Sequence, residues 1–170
     1  MAGTSPSSPP SSTAGVPGWV TPGLVLDYFT DEDSGYVGIR DTTTVDSVND
    51  GTVTGQTHTL AVGTDKTYSW TCTSAGYCPD GEAAFQFWVD PSDPLGSVKG
   101  QGLPYEYLGT TSLLDPENRQ TYRVGILHYS NAAQTIRNST FFNSAGLVIE
   151  VDAYGDGIVT QVWYENTASG

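Results

Sequence analysis

The chain has 170 residues, with 6 Lys+Arg against 19 Asp+Glu and a formal net charge of -13. That length suits one domain with a real core, and the charge repels nucleic acid and anionic membrane surfaces, making both poor partners. No apolar run approaches the roughly 18 residues of a transmembrane helix, and 20 Gly, 10 Pro, 10 Tyr and 4 Trp argue against a helical bundle.

Residues 1–18 are rich in Ser, Pro and Gly and lack the apolar side chains that offset chain entropy, so a disordered tether is expected there. They show no basic n-region and no apolar h-region. One domain is expected over 19–170. From Trp19 onward the apolar positions recur with period two, the mark of strands.

The expected strands begin with Leu24 to Phe29 and, after the acidic turn Asp31-Glu32-Asp33-Ser34-Gly35, Tyr36 to Asp41. Thr42 to Val48 and Thr52 to Val62 flank Asn49-Asp50-Gly51, whose Asp-Gly pair supplies the positive φ angles of a tight hairpin. Thr67 to Cys72 is expected to pair with Ala83 to Asp90 across the cysteine loop. A loop from Pro91 to about Pro104 follows. Tyr105 to Leu113, Thr121 to Tyr129, Thr135 to Phe142, Gly146 to Tyr154 and Ile158 to Glu165 complete the series, the last two joined at Gly155-Asp156-Gly157.

These make about ten strands with mostly short connections, which favour antiparallel neighbours. Twist curls or splits large sheets. The fold class is therefore all-β: an antiparallel meander forming a curved half-barrel, a barrel or a two-sheet sandwich. An uncovered edge, at the first strand or at Thr135 to Phe142, would let the chain self-associate.

Cys72 and Cys78 are the only cysteines, and the five residues between them read as a turn. A disulfide that fixes a hairpin end is expected, with an oxidising compartment. Export to the cell surface or medium follows, the export signal or lipid anchor lying outside this chain. Asn138-Ser139-Thr140 is a glycosylation sequon without functional weight.

Tyr105-Glu106-Tyr107-Leu108-Gly109-Thr110-Thr111, Gln120-Thr121-Tyr122-Arg123-Val124, then Ser139-Thr140-Phe141-Phe142 leading to Gly146-Leu147-Val148 and Gly155-Asp156-Gly157 form a rhythm over about residues 100–165. This resembles uncharacterised exported lipoprotein-type β domains, which are similar to the half-barrels of lipoprotein-localisation factors. The resemblance implies a fold and no functional residues.

Catalytic chemistry has little to stand on. His58 and His128 are the only histidines, and a Gly-x-Ser-x-Gly elbow is absent. His128 reads as a core histidine and His58 as a surface one. Glu150 and Asp152 share a strand face and read as solvated, not as a glycosidase pair. Calcium is a more plausible cation than zinc on Cys72, Cys78 and the histidines, whose spacing fits no standard finger; its place is the oxygen-rich turn of Asp31 and Asp33, with Asp152 and Asp156 as a weaker second turn. No other cofactor is implied.

The aromatics carry the remaining signal. Phe85, Phe87, Trp88, Tyr105, Tyr107, Trp163 and Tyr164 are candidate ligand-binding residues. Phe85 and Phe87 share one strand face and Trp88 takes the other, as Trp163 and Tyr164 take opposite faces, so exposure of one member in each group is expected. The resulting expectation is a non-enzymatic, exported, lipoprotein-like domain that binds an apolar or amphiphilic small molecule. The alternative is a β-sandwich surface module that binds glycan or builds an extracellular structure, with calcium.

Overall fold

A computed structural model of the chain describes residues 15–32, 36–78, 86–115, 120–133, 135–155 and 157–165. Nine strands run through them: β1 Val25–Glu32, β2 Tyr36–Asn49, β3 Thr52–Ala61, β4 Thr64–Thr73, β5 Glu106–Asp115, β6 Gln120–Ser130, β7 Ile136–Phe142, β8 Val148–Gly155 and β9 Ile158–Glu165. Thr, Val and aromatic residues dominate them, as side chains that suit a pleated surface do. In β3 the period-two reading holds: Val53, Gly55 and Thr57 are buried, while Gln56 and His58 are exposed.

The antiparallel all-β meander expected from the sequence is the fold. The strands form a single sheet in the order β4-β3-β2-β1-β9-β8-β7-β6-β5. Asp50 and Gly51 both take positive φ at the β2–β3 turn, as the Asp-Gly pair requires. The segments Tyr36 to Asp41 and Thr42 to Val48 are one strand, because no turn residue stands between them; a bulge at Val45/Ser47 bends it instead.

The sheet stays open. Instead of closing into a barrel or splitting into two layers, it leaves β4 and β5 as edges. β1 and β9 pair in the middle of the sheet, and its free edges, β4 and β5, are two strands consecutive in sequence. Residues 74–105 connect those edges. The expected pairing of Thr67 to Cys72 with Ala83 to Asp90 is therefore replaced. β4 pairs with β3, and residue 88 of the connection makes only an isolated bridge, Trp88 to Leu147. The first strand and Thr135 to Phe142, where an uncovered edge would let the chain self-associate, are interior. On the true edge β5, a bulge between Tyr107 and Thr110 interrupts the regular row a second copy would need.

One core cluster joins Leu26, Tyr28, Val45, Val53, Trp70 and Tyr164 of the strands to Val16, Val20, Phe87 and Trp88 outside them. The folded part thus reaches beyond Trp19 toward the N-terminus, with Val16 only 2% exposed. Phe87 is the hub, with ring centroids 6.1 Å from Trp70, 6.2 Å from Trp19 and 5.0 Å from Trp88. Trp70 sits across from Gly55 in register, and a Cβ on Gly55 would lie 2.5 Å from the indole ring. The missing side chain is what lets the ring lie on the sheet. The Trp70 Nε1 donates to Thr57 Oγ1 at 3.0 Å, so burial leaves no unpaired indole there.

Cys72 and Cys78 form the expected disulfide, with Cα atoms 4.2 Å apart. The turn inside it closes through Gly76 N to Thr73 O at 3.0 Å and Thr73 N to Tyr77 O at 2.8 Å. This fixes the point where the chain leaves β4 to begin its crossing.

Candidate functional site

The crossing connection is held down at one place by paired backbone. Val89 N donates to Gly146 O at 2.8 Å, and Val148 N donates to Phe87 O at 2.9 Å. Gly146 has φ +89°, and a Cβ there would stand 2.0 Å from the Val89 carbonyl oxygen. Only glycine admits both the angle and the approach. This clamp sets Trp88 against the start of β8.

Beside Trp88 lies a cavity of about 290 Å³. Val89 and Val98 from the connection and Val148 and Val151 from β8 supply apolar wall; Gln86, Gln101, Tyr105, Asn138 and Thr140 supply polar rim. No charged side chain is among these lining residues. The rim is internally bonded: Tyr105 Oη donates to Gln101 Oε1 at 3.1 Å, Gln101 Nε2 to Gln86 Oε1 at 3.1 Å, and Gln86 Nε2 to Ser97 O at 2.8 Å. Thr140 Oγ1 donates to Asn138 Oδ1 at 3.3 Å. Burial pushes the Tyr105 hydroxyl far above its ordinary range, with the neighbouring Tyr129 adding to it.

Trp88 differs from its surroundings. It is 0% exposed, and its Nε1 has no hydrogen-bond partner among the described residues. A buried donor left unpaired costs about 1–3 kcal/mol. Trp19 and Trp70 both satisfy theirs, on Ala145 O and Thr57 Oγ1.

The reverse face of the sheet carries a polar row. Glu106, His128, Ser139, Asp152, Gln161 and Asp31 are register partners in succession on β5, β6, β7, β8, β9 and β1. His128 Nδ1 lies 3.0 Å from Ser139 Oγ, a cross-strand hydroxyl; the histidine is half-buried on this polar face and not in the core where it was expected. His58 is exposed and meets Asp65 Oδ1 at 2.6 Å. The neighbouring row places Glu150 between Phe141 and Trp163 in register. Glu150 is 2% exposed, so the solvated reading of Glu150 and Asp152 is corrected: flanking aromatics remove the water. The Asp152 Oδ1 is buried too and lacks a partner among the described residues.

Of the sequence candidates, the structure brings Trp88 and Tyr105 together at the cavity. Phe87 lies beneath them in the core. Tyr107 is exposed on the edge strand, 6.4 Å from Phe142. Trp163 and Tyr164 are both buried, where exposure of one was expected. Tyr164 packs edge-on against Tyr28 at 5.6 Å, and Trp163 is in register with Phe29 and Glu150. Trp88 is likewise buried with Phe87, because residues 86–90 cross the sheet instead of extending it. Phe85, Asp33 and Asp156 lie outside the described residues. Asp31 is exposed at the end of the polar row. Among the described residues, no three His, Cys, Asp or Glu side chains group to hold a metal.

Sequence reasoning missed Gln86, Gln101, Val98, Asn138 and Thr140. Asn138 and Thr140 alternate on one strand, which is a readable signal; Gln86, Val98 and Gln101 join the cavity through a loop that carries none. Among the described residues no helix is long and apolar enough to cross a membrane. No protein-family model matches the chain, and no curated protein matches it.

Proposed function

We propose that this chain is an exported, non-enzymatic β domain, lipoprotein-like in character, that binds a small amphiphilic molecule in the Trp88 cavity. The observation that carries this is an uncharged cavity with valine walls and an amide rim beside the buried Trp88. The ligand's polar end would meet the Gln86, Gln101 and Asn138 amides, and its apolar part would lie on Val89, Val98, Val148 and Val151. A volume of about 290 Å³ corresponds to about ten water-sized groups. The ligand is therefore small, or only its end enters. The disulfide supports an oxidising compartment.

Binding is favoured over catalysis by the surroundings of His128. Its partner Ser139 sits within β7, an interior strand paired on both sides, whose backbone N–H groups serve the ladders. An oxyanion site needs such donors free. The alternative, a glycan-binding or structural surface module with a flat aromatic strip, is less favoured because Phe87, Trp88, Trp163 and Tyr164 are all buried.

The test is the mass of the purified protein, native against denatured, followed by titration with medium-chain alcohols. A small occupant lost on denaturation, or saturable alcohol binding weakened in Trp88→Phe, is expected. Identical masses together with no alcohol binding would refute the proposal.

A further inference from the structure

A second cavity, of about 230 Å³, opens where β6 to β9 meet on the reverse face of the sheet. It is independent of the Trp88 cavity. Thr140 and Val151 line the first, whereas Arg137, Ser139, Asp152 and Tyr154 line the second, and alternate residues of a strand point to opposite faces. Asn138 borders both.

The second cavity holds two opposite charges that do not meet each other. Arg137 is in register with Tyr154, and its guanidinium lies over that ring at 4.6 Å. Asp152 is in register with Ser139, one pair along on the same face, so Arg137 and Asp152 are diagonal neighbours. Diagonal Cβ atoms on a sheet stand about 7–8 Å apart, too far for a short carboxylate to bond directly unless the arginine folds over. It does not fold over: the Asp152 Oδ1 is buried without a donor among the described residues, and the guanidinium rests on the tyrosine. Ser139, the group nearest Asp152 in register, contacts His128.

We infer that this cavity binds a small zwitterion, an α-amino acid with an apolar side chain. Its ammonium would donate to Asp152, its carboxylate would accept from Arg137, and its side chain would lie against Val159 and the Tyr154 ring. An uncharged polyol would leave both protein charges without a counter-charge as water is displaced, which is costly. A simple anion meets the field of a chain with net charge -13, and a simple cation meets Arg137. Only a ligand with both signs answers both side chains. The volume equals about eight water-sized groups, the scale of one amino acid.

His128 provides the readout. The chain has 2 histidines; His128 lines the cavity, and His58, bonded to Asp65, lies on β3, with five strands between it and β6 in the sheet order. The experiment follows the two imidazole ring signals by NMR while L-leucine is added. Isoamylamine and isocaproate, which each keep one of its two charges, serve as comparisons. A saturable shift of His128 alone, with leucine alone, is expected. Arg137→Gln and Asp152→Asn should each weaken it by at least about tenfold. Arg137 is exposed, so its variant keeps the test valid if Asp152→Asn fails to fold. An equal response to either single-charge analogue, an equal response of both histidines, retention of leucine binding in Arg137→Gln, or no shift at all would each overturn the inference.

Discussion

Replacing Gly146 with alanine should be among the most damaging single-methyl additions this protein can take. Two costs act there. The first is conformational: at φ +89° an L-side chain pays about 1–2 kcal/mol. The second is contact. The new Cβ would lie 2.0 Å from the Val89 carbonyl oxygen, a backbone atom that no rotamer change can move. The crossing connection must lift, stretching the bonds from Val89 N to Gly146 O and from Val148 N to Phe87 O. Each is worth about 0.5–1.5 kcal/mol net. The total is about 2–5 kcal/mol, before any loosening of Phe87 and Trp88. Gly63 provides the control: its φ is +77°, but nothing lies within 4 Å of the place an added Cβ would occupy, so Gly63→Ala carries the conformational cost alone. Urea denaturation followed by tryptophan fluorescence measures both. If Gly146→Ala is no more destabilising than Gly63→Ala, the connection is not clamped at this point and the argument fails.

Two further outcomes follow from the same structure. Removing the Cys72–Cys78 crosslink by reduction should lower stability by about 2 kcal/mol, since the closed loop is short; an unchanged urea midpoint under reductant would contradict this. Burial raises the hydroxyl pKa values of Tyr28, Tyr105 and Tyr164 above the ordinary 10.0, with Tyr164, Tyr129 and Asp27 respectively adding to the effect. Their folded forms hold the proton when the unfolded chain has lost it. The stability they contribute is thus complete below about pH 10 and is lost as pH rises through the folded values. In an alkaline titration, phenolate absorbance from these three should lag and emerge with loss of the β signal; ionisation of all 10 tyrosines with the sheet intact would count against it.

Much of the molecule is legible in its residues. Period-two alternation located the strands, Asp50-Gly51 located a hairpin, and the turn between Cys72 and Cys78 located the disulfide, because each depends on neighbours within a few positions. The burial of individual side chains was less legible. Glu150 was expected in water, yet its exposure depends on Phe141 and Trp163, which come from other strands. Trp163 and Tyr164 alternate as strands require, but alternation says only that they face opposite ways, not how far neighbouring strands bury each ring.

The strand pattern itself, the short hairpins, the crosslink and the acidic charge were therefore set by local sequence. The order of strands was decided by tertiary structure. With β1 paired to β9 in mid-sheet, β4 and β5 stand at opposite edges, and residues 86–90 of the link between them cross a face, where Phe87 and Trp88 become core. One cavity depends on that arrangement, forming where the connection meets β7 and β8; the other lies on β6 to β9, where register sets Arg137 diagonal to Asp152. Contacts between residues far apart in the chain follow from register and crossing, and these are settled by which packing buries the most apolar surface, a property of the whole fold.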